Sequence, residues 1–319
     1  IKKGRMKMKF IEDLKRELDN TNLSDAEKLE ILNDFKEMVD EAIDSGLEEK
    51  ELENKFGSPE KLASELASEY NSESKSETPS GDTFEFYPND KYNIVIELLN
   101  EDIDIKTVDT DKILVEAKRV RRLKDFDIKF ENNTLYLLRP KKQYSEFFHF
   151  SRKSSFTLKL PNRYNINDFN FSNINGDGEV KDIIADKVKF KVTNGDFEFS
   201  NGKFTNLTID TINGDINMQE IKSNDFKVSL VSGDMKLKRV DIDNDLNINS
   251  VSGDIEVDNL NCKQALIRLV SGDFEGKEFY PSELTVRTVS GDVDIHNKLK
   301  DRKIEVIKKS SVSGDININ

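Results

Sequence analysis

The chain has 319 residues, and its 62 acidic and 49 basic side chains leave a net charge of −13. That balance argues against general nucleic-acid binding, which needs a basic surface, and the single cysteine, Cys262, excludes a disulfide framework. No run of about 18 apolar residues is present to span a bilayer and no apolar leader opens the sequence, so the expectation is a cytoplasmic or peripherally membrane-associated protein of roughly two or three domains.

Residues 6–70 read as helices. Phe10, Leu14 and Leu18 repeat at i, i+4; Ser24 and Glu27 form a capping box, and Leu29, Leu32, Phe35, Val39 and Ile43 continue at helical spacing as far as Gly46, a stop signal. A short helix carries Leu52 and Phe56 and ends at Gly57. Ser58-Pro59-Glu60 opens another, with Ser as cap, Pro at the first helical position and an acid at the positive end of the dipole. Leu62, Leu66 and Tyr70 give it an apolar face, so three or four helices share one small core. Phe10-Ile11-Glu12-Asp13-Leu14, the long acidic second helix and Phe56-Gly57-Ser58-Pro59-Glu60-Lys61-Leu62-Ala63 resemble the HAAS/DUF1700 helical domain of Firmicute membrane-associated proteins, often encoded beside PadR-like regulators. The resemblance implies a docking role, with a PadR-like regulator or a membrane protein as partner. The transmembrane helices that usually follow in that family are missing from this sequence.

Residues 71–82 are polar and read as a flexible linker. From residue 83 to 165 the strands are irregular and begin or cap a stack. Ile94, Ile96 and Leu98 alternate, as do Ile103 and Ile105, with Glu101-Asp102 in the place that Gly-Asp takes later and Ile113 and Val115 as a second inward pair. Phe126, Ile128 and Phe130, a turn at Asn132-Asn133, and Leu135 and Leu137 read as a hairpin.

Residues 166–319 repeat. Gly-Asp steps begin at Gly176, Gly195, Gly214, Gly233, Gly253, Gly272, Gly291 and Gly314, with gaps of 19, 19, 19, 20, 19, 19 and 23 residues. Asn precedes the first three glycines and Ser the last five. Counting from the Gly as zero, apolar residues fall at +2 and +4 (Phe197 and Phe199, Ile255 and Val257) and at +12 and +14 (Leu207 and Ile209, Leu284 and Val286). In the 20-residue gap the second pair shifts to Leu246 and Ile248. Another aliphatic stands two before each later Gly (Ile212, Val231, Val251, Val270, Val289, Val312) and is expected to face inward with them. Alternation with period two inside a repeat too short for a helical crossover predicts a mostly β chain: a parallel β-solenoid of two strands and about 19 residues per coil, behind the small helical domain. The eight glycines are its turns, read as positions needing φ > 0. These Val-Ser-Gly-Asp-Ile/Val units resemble the adhesin-labelled DUF4097 family, with LiaG-like and LiaX-like envelope proteins among its members, over residues 90 to 319. Together the two resemblances imply a Gram-positive cell-envelope or stress-response protein.

Stacking the coils lines up the Asp carboxylates. Either they accept local backbone N–H groups at the turn, or they hold a calcium ladder like that of RTX repeats. Those repeats place an Asp every nine residues and this chain one every nineteen, so the turn account is preferred and neither metal nor cofactor is expected. The two histidines, His149 and His296, lie far apart, and no hydrolase, zinc-protease or phosphate-loop motif is present; the chain is expected not to be an enzyme.

One segment breaks the pattern. Arg139, Lys141, Lys142, Arg152 and Lys153 bracket Tyr144, Phe147, Phe148 and Phe150, some fifteen residues after the basic run Lys118-Arg119-Val120-Arg121-Arg122-Leu123-Lys124. Three roles compete for it: capping the open end of the stack, docking a protein partner, and peripheral contact with an anionic membrane. The final strand, unpaired at Ile316–Asn319, is expected to favour self-association through the C-terminal edge of the solenoid. The resulting expectation is a non-enzymatic interaction scaffold, with a surface adhesin or a carbohydrate-active β-helix as alternatives.

Overall fold

The computed structural model describes residues 3–44, 51–73, 82–120, 123–139, 154–299 and 302–319. These residues form two compact units, one helical and one of strands.

In the helical unit, α1 (Lys3–Asp19), α2 (Asp25–Asp44), α3 (Leu52–Phe56) and α4 (Pro59–Glu73) bury Phe10, Leu14, Leu18, Ile31, Phe35, Val39, Leu52, Phe56, Leu62 and Leu66 in one core. Phe56 sits at its centre, with its ring 6.2 Å from those of both Phe10 and Phe35. The capping box is made as expected. The Ser24 backbone N–H donates to Glu27 Oε2 at 2.7 Å, and the Glu27 N–H donates to Ser24 Oγ at 3.3 Å. Gly57 takes φ +88° and its N–H closes onto the Glu53 carbonyl, while Ser58 Oγ caps the Lys61 N–H. One expectation fails: Leu29 is exposed, and Ile31 takes its place. The buried stripe of α2 is Ile31, Phe35 and Val39 at i, i+4, and Leu29 lies about a third of a turn from Phe35 at its middle. Gly46 and the side chain of Tyr70 lie outside the described residues, as does most of the segment 71–82.

The strand unit opens with β1 (Asp82–Phe86), β2 (Tyr92–Glu97), β3 (Asp102–Val108), β4 (Ile113–Lys118), β5 (Asp127–Glu131), β6 (Thr134–Leu138), β7 (Ser155–Pro161), β8 (Ile166–Asn175), β9 (Gly178–Lys181), β10 (Ile184–Asn194) and β11 (Phe197–Ser200). Its coils do not stack in chain order at the start. β2 and β3 form one rung, with β6 and β7 parallel to them on one side and β8 and β9 on the other. β4 runs antiparallel to both β7 and β1. Ile113 and Val115 are therefore buried in an antiparallel strand at the end of the stack and are not the second inward pair of a parallel coil. Period two alone cannot tell the two cases apart. The β5–β6 hairpin turns at Asn132 and Asn133, both with positive φ (49° and 58°), as a two-residue turn that follows the strand twist requires.

From β8 onward each coil pairs with the next in parallel register, about 19 residues further on. Phe171 pairs with Phe190 and Phe190 with Ile209; Phe197 pairs with Ile216 and Ile216 with Met235. The +2, +4, +12 and +14 side chains fill one continuous core. Within it Phe171 stacks on Phe190 at 4.0 Å, and the Phe197 and Phe199 rings meet Phe190 edge-on at 4.9 Å. The extra residue of the long coil falls at Asn244, whose carbonyl accepts from both the Lys263 and Gln264 N–H groups, so Leu246 and Ile248 stay over Phe226 and Val228.

The residues two before each Gly face water. Ile212, Val231, Val251, Val270 and Val289 are 40–47% exposed and Val312 is 81% exposed. Strand alternation explains the reversal. From +12 and +14 the next inward residue is the one three before the Gly: Val192, Thr211, Leu230, Ser250, Leu269 and Thr288, all buried. The residue after it must point out.

Candidate functional site

The Gly-Asp corner brings together four rows; the inner one alternates between aliphatic and hydroxyl side chains from Val192 to Thr288, and the other three recur coil by coil. A Cβ on any of the glycines from Gly195 to Gly314 would fall far inside van der Waals contact of the carbonyl oxygen of the corner Gly one coil earlier. Close approach of successive backbones therefore demands the glycine. Positive φ does not, since among these corners only Gly195 and Gly214 have it. Glu101 stands in for the missing earlier glycine, because Gly176 packs on its carbonyl. Glu101-Asp102 thus takes the place assigned to it.

Below the corner, the buried hydroxyls of Ser250 and Thr288 satisfy the backbone, whereas that of Thr211 has no hydrogen-bond partner among the described residues. Ser250 Oγ donates to the Gly253 carbonyl at 2.7 Å and accepts from its N–H at 3.1 Å, and Thr288 Oγ1 donates to the Gly291 carbonyl at 2.7 Å. The row just before the Gly runs along the stack. Asn175 Nδ2 donates to Asn100 Oδ1, Asn194 Nδ2 to Asn175 Oδ1 and Asn213 Nδ2 to Asn194 Oδ1, at 2.7–2.9 Å. Ser232 Oγ continues onto Asn213, and from there the Ser hydroxyls of later coils donate to the carbonyl two before the preceding Gly, as Ser252 does to Val231 at 2.9 Å.

The aspartates bond between coils, not within the turn as expected. The N–H of each Asp donates to Oδ1 of the Asp one coil earlier, from Asp177 on Asp102 to Asp315 on Asp292, at 2.7–3.0 Å throughout. This fixes eight carboxylates, Asp102 to Asp292, in single file on the edge of the corner, with Asp315 next in line. Two positions further on, Glu179, Glu198, Glu256, Glu275 and Asp294 extend the acidic surface. Lys181 and Lys277 answer part of it, each held above its usual pKa mainly by hydrogen bonding to Glu179 or Glu275 on the same strand. Among the described residues no three His, Cys, Asp or Glu side chains converge to hold a metal ion. The fourth row is the exposed aliphatic ladder, Ile212 to Val312.

The two described residues that flank the segment singled out in the sequence, Arg139 and Ser154, both pair with the rung of β2 and β3. Arg139 follows β6, its N–H donating to the Glu97 carbonyl at 2.9 Å, and the Ser154 carbonyl before β7 accepts from Asp102 at 3.0 Å. Lys141, Lys142, Tyr144, Phe147, Phe148, Phe150, Arg152 and Lys153 lie outside the described residues, as do His149, Arg121 and Arg122. His296 is exposed on a strand. Cys262 is buried three residues after Asn259, where the backbone takes φ +65°, and burial pushes its thiol up to about 12. In the helical unit a shallow polar depression lies between the C-terminal turn of α1 and α4, lined by Glu17, Thr21, Glu60, Ser64 and Ala67 among others. No helix of the described residues is long and apolar enough to cross a membrane.

A parallel solenoid whose corners repeat one Gly-Asp chemistry over eight turns defines a class of repeat proteins with an extended, uniform edge. The chain belongs to the Toastrack DUF4097 family, whose model matches residues 92–247 and 205–319, and residues 9–65 match the HAAS family. No curated protein matches it. Among solved structures it is similar to a putative lipid binding protein from Parabacteroides distasonis, with 15% identity over 76% of this chain and 98% of that one and a TM-score of 0.53. It is also similar to a putative adhesin from Parabacteroides merdae, with 12% identity over 75% and 96% and a TM-score of 0.47. At 15% identity the likeness to the first is one of fold.

Proposed function

We propose that the chain is a non-enzymatic interaction scaffold of the Gram-positive cell-envelope stress response. The helical unit docks a protein partner, either a PadR-like regulator or a membrane protein, and the solenoid presents its long edge to a second ligand. The observation that carries this reading is the constancy of the corner. Outward-facing Asp, Ser or Asn, and aliphatic residues recur at fixed register over successive coils. Catalysis needs a constellation that differs from its surroundings, whereas a uniform row suits a ligand that is itself long or repetitive. The basic and aromatic residues 139–153 supply a further contact, with a protein or an anionic membrane surface. The final strand, Ile316–Ile318, is paired on one side with Val293–Ile295, and its other side supplies an edge for self-association. Affinity capture from the native organism, with and without residues 6–70, tests the scaffold. A specific partner retained only by the full chain supports it. Equal recovery from both, or recovery of the protein on the outer cell surface, replaces it with the adhesin reading.

A further inference from the structure

We propose that the Val-Ser-Gly-Asp edge of the solenoid is a docking strip for a cationic amphipathic helix of a partner protein, about four turns long. The proposal rests on the scaffold reading and names the chemistry of the ligand its edge takes.

Six consecutive coils expose a β-branched aliphatic residue at one register position, and these six make up half of the twelve large hydrophobic residues exposed among the described residues. Strand propensity does not require the choice. Threonine has the same branching and a hydroxyl for water, and Thr193 occupies this position one coil earlier. Exposed apolar groups that line up in this way mark an interaction surface. Three residues further along the chain runs the file of aspartates, all exposed and each but the last held by the N–H of the next coil. An apolar ridge beside a row of like charge calls for a partner with an apolar stripe flanked by Lys or Arg.

Backbone chemistry decides the form of that partner. An extended peptide that adds as a strand needs free N–H and C=O groups. At this edge they are already used between coils: the Ser252 N–H donates to the Val231 carbonyl at 2.9 Å, the Ser271 N–H to the Val251 carbonyl at 2.8 Å, and the Asp N–H groups to the preceding carboxylates. A helix brings its own hydrogen bonds. Coils spaced about 4.8 Å apart come close to the roughly 5.4 Å pitch of a helix lying along the stack, so one apolar residue per turn follows the ladder, and six rungs match about 16 residues. An anionic membrane is disfavoured, because the aspartates would face its headgroups.

The test uses the full chain and a labelled synthetic peptide of about 18 residues, helical, with a leucine stripe flanked by lysines. Controls are the same peptide with glutamate for lysine and a sequence-scrambled version with no stripe. Fluorescence anisotropy should show saturable binding of the lysine peptide alone, weakened by added salt as exposed charge pairs require. Binding should weaken about tenfold or more in the triple variant Val231→Thr, Val251→Thr, Val270→Thr. A similar loss is expected for Asp234→Asn, Asp254→Asn, Asp273→Asn, where the amide oxygen still accepts the inter-coil N–H and the fold is kept. Circular dichroism and melting of both variants check that they remain folded. No binding of the lysine peptide at about 100 µM, far weaker than a specific complex, overturns the proposal, as does equal binding of scrambled and striped peptides or binding unchanged in both variants. Anionic vesicles bound in place of the peptide also overturn it. Partner capture that depends on residues 6–70 alone, with no peptide binding, leaves the scaffold standing and removes only the strip.

Discussion

Each coil bends at two places that solve the same problem in opposite ways. At the first, the Gly-Asp corner, successive backbones touch and no side chain fits, so the residue is Gly in eight turns out of eight. At the second, six positions later, the chain turns through a left-handed residue with φ of 53–65°, and the residue is Asp182, Asn201, Glu220, Arg239, Asn259 or Glu278. At five of the six the residue is exposed and the main constraint is the dihedral angle, at a cost of about 1 kcal/mol that most residues tolerate; Glu278 is half-buried, accepting from Tyr280 and Lys298. A packing constraint leaves one residue type, whereas a backbone constraint on an open surface leaves almost any.

The two corners should therefore answer glycine chemistry with opposite signs. Gly253→Ala places a methyl group against the Gly233 carbonyl and is expected to cost about 4 kcal/mol or more, or to prevent folding, in urea denaturation. A cost below about 1 kcal/mol would show that the coils can part at little expense. Ser250→Ala, directly beneath that corner, removes the hydroxyl that serves both the N–H and the carbonyl of Gly253 and should cost about 1–3 kcal/mol. At the second corner, Glu220→Gly relieves the left-handed residue and should stabilise by about 0.5–1 kcal/mol. The gain outweighs loss of the exposed Arg239–Glu220 pair, which is worth a few tenths of a kcal/mol.

Cys262, three residues beyond Asn259, probes the same bend through titration. Burial holds its thiol neutral up to about 12, whereas an unfolded cysteine ionises near pH 8.5. Its contribution to stability is complete below that pH and is lost as pH rises from about 9 to 12. A thiol reagent at pH 8 should label it rapidly only after denaturation. Fast labelling of the native protein would mean that the second bend opens.

The contrast between the corners also explains what could be read in the residues. The coil, its length and its inward +2, +4, +12 and +14 positions were legible because a shared core imposes one residue class on every repeat, and Glu101-Asp102 was recognisable by its place in the alternation. The second bend left no signature, since Asp, Asn, Glu and Arg share little beyond being polar. The ladder from Ile212 to Val312 faces outward although it is apolar, because strand parity, not apolar character, sets the direction of a side chain. Counting on from +14 puts the inward side chain at Leu230 or Ser250 and turns Val231 and Val251 outward. Ile113 and Val115 misled for another reason: strand direction is decided by partners far away in the chain, β1 and β7, and leaves no mark on the alternation itself.

The stacking of corners is tested most directly by cross-linking along the ladder. Residues on adjacent parallel strands lie about 4.8 Å apart, within the span of a disulfide, and the side chains of Val251 and Val270 both face solvent one coil apart. The double variant Val251→Cys, Val270→Cys should close an intramolecular disulfide rapidly under mild oxidation, while Val251→Cys, Val289→Cys, two coils apart, should not. Failure of the first pair to close, or closure of the second at the same rate, would contradict the in-register solenoid with its aliphatic ladder facing outward.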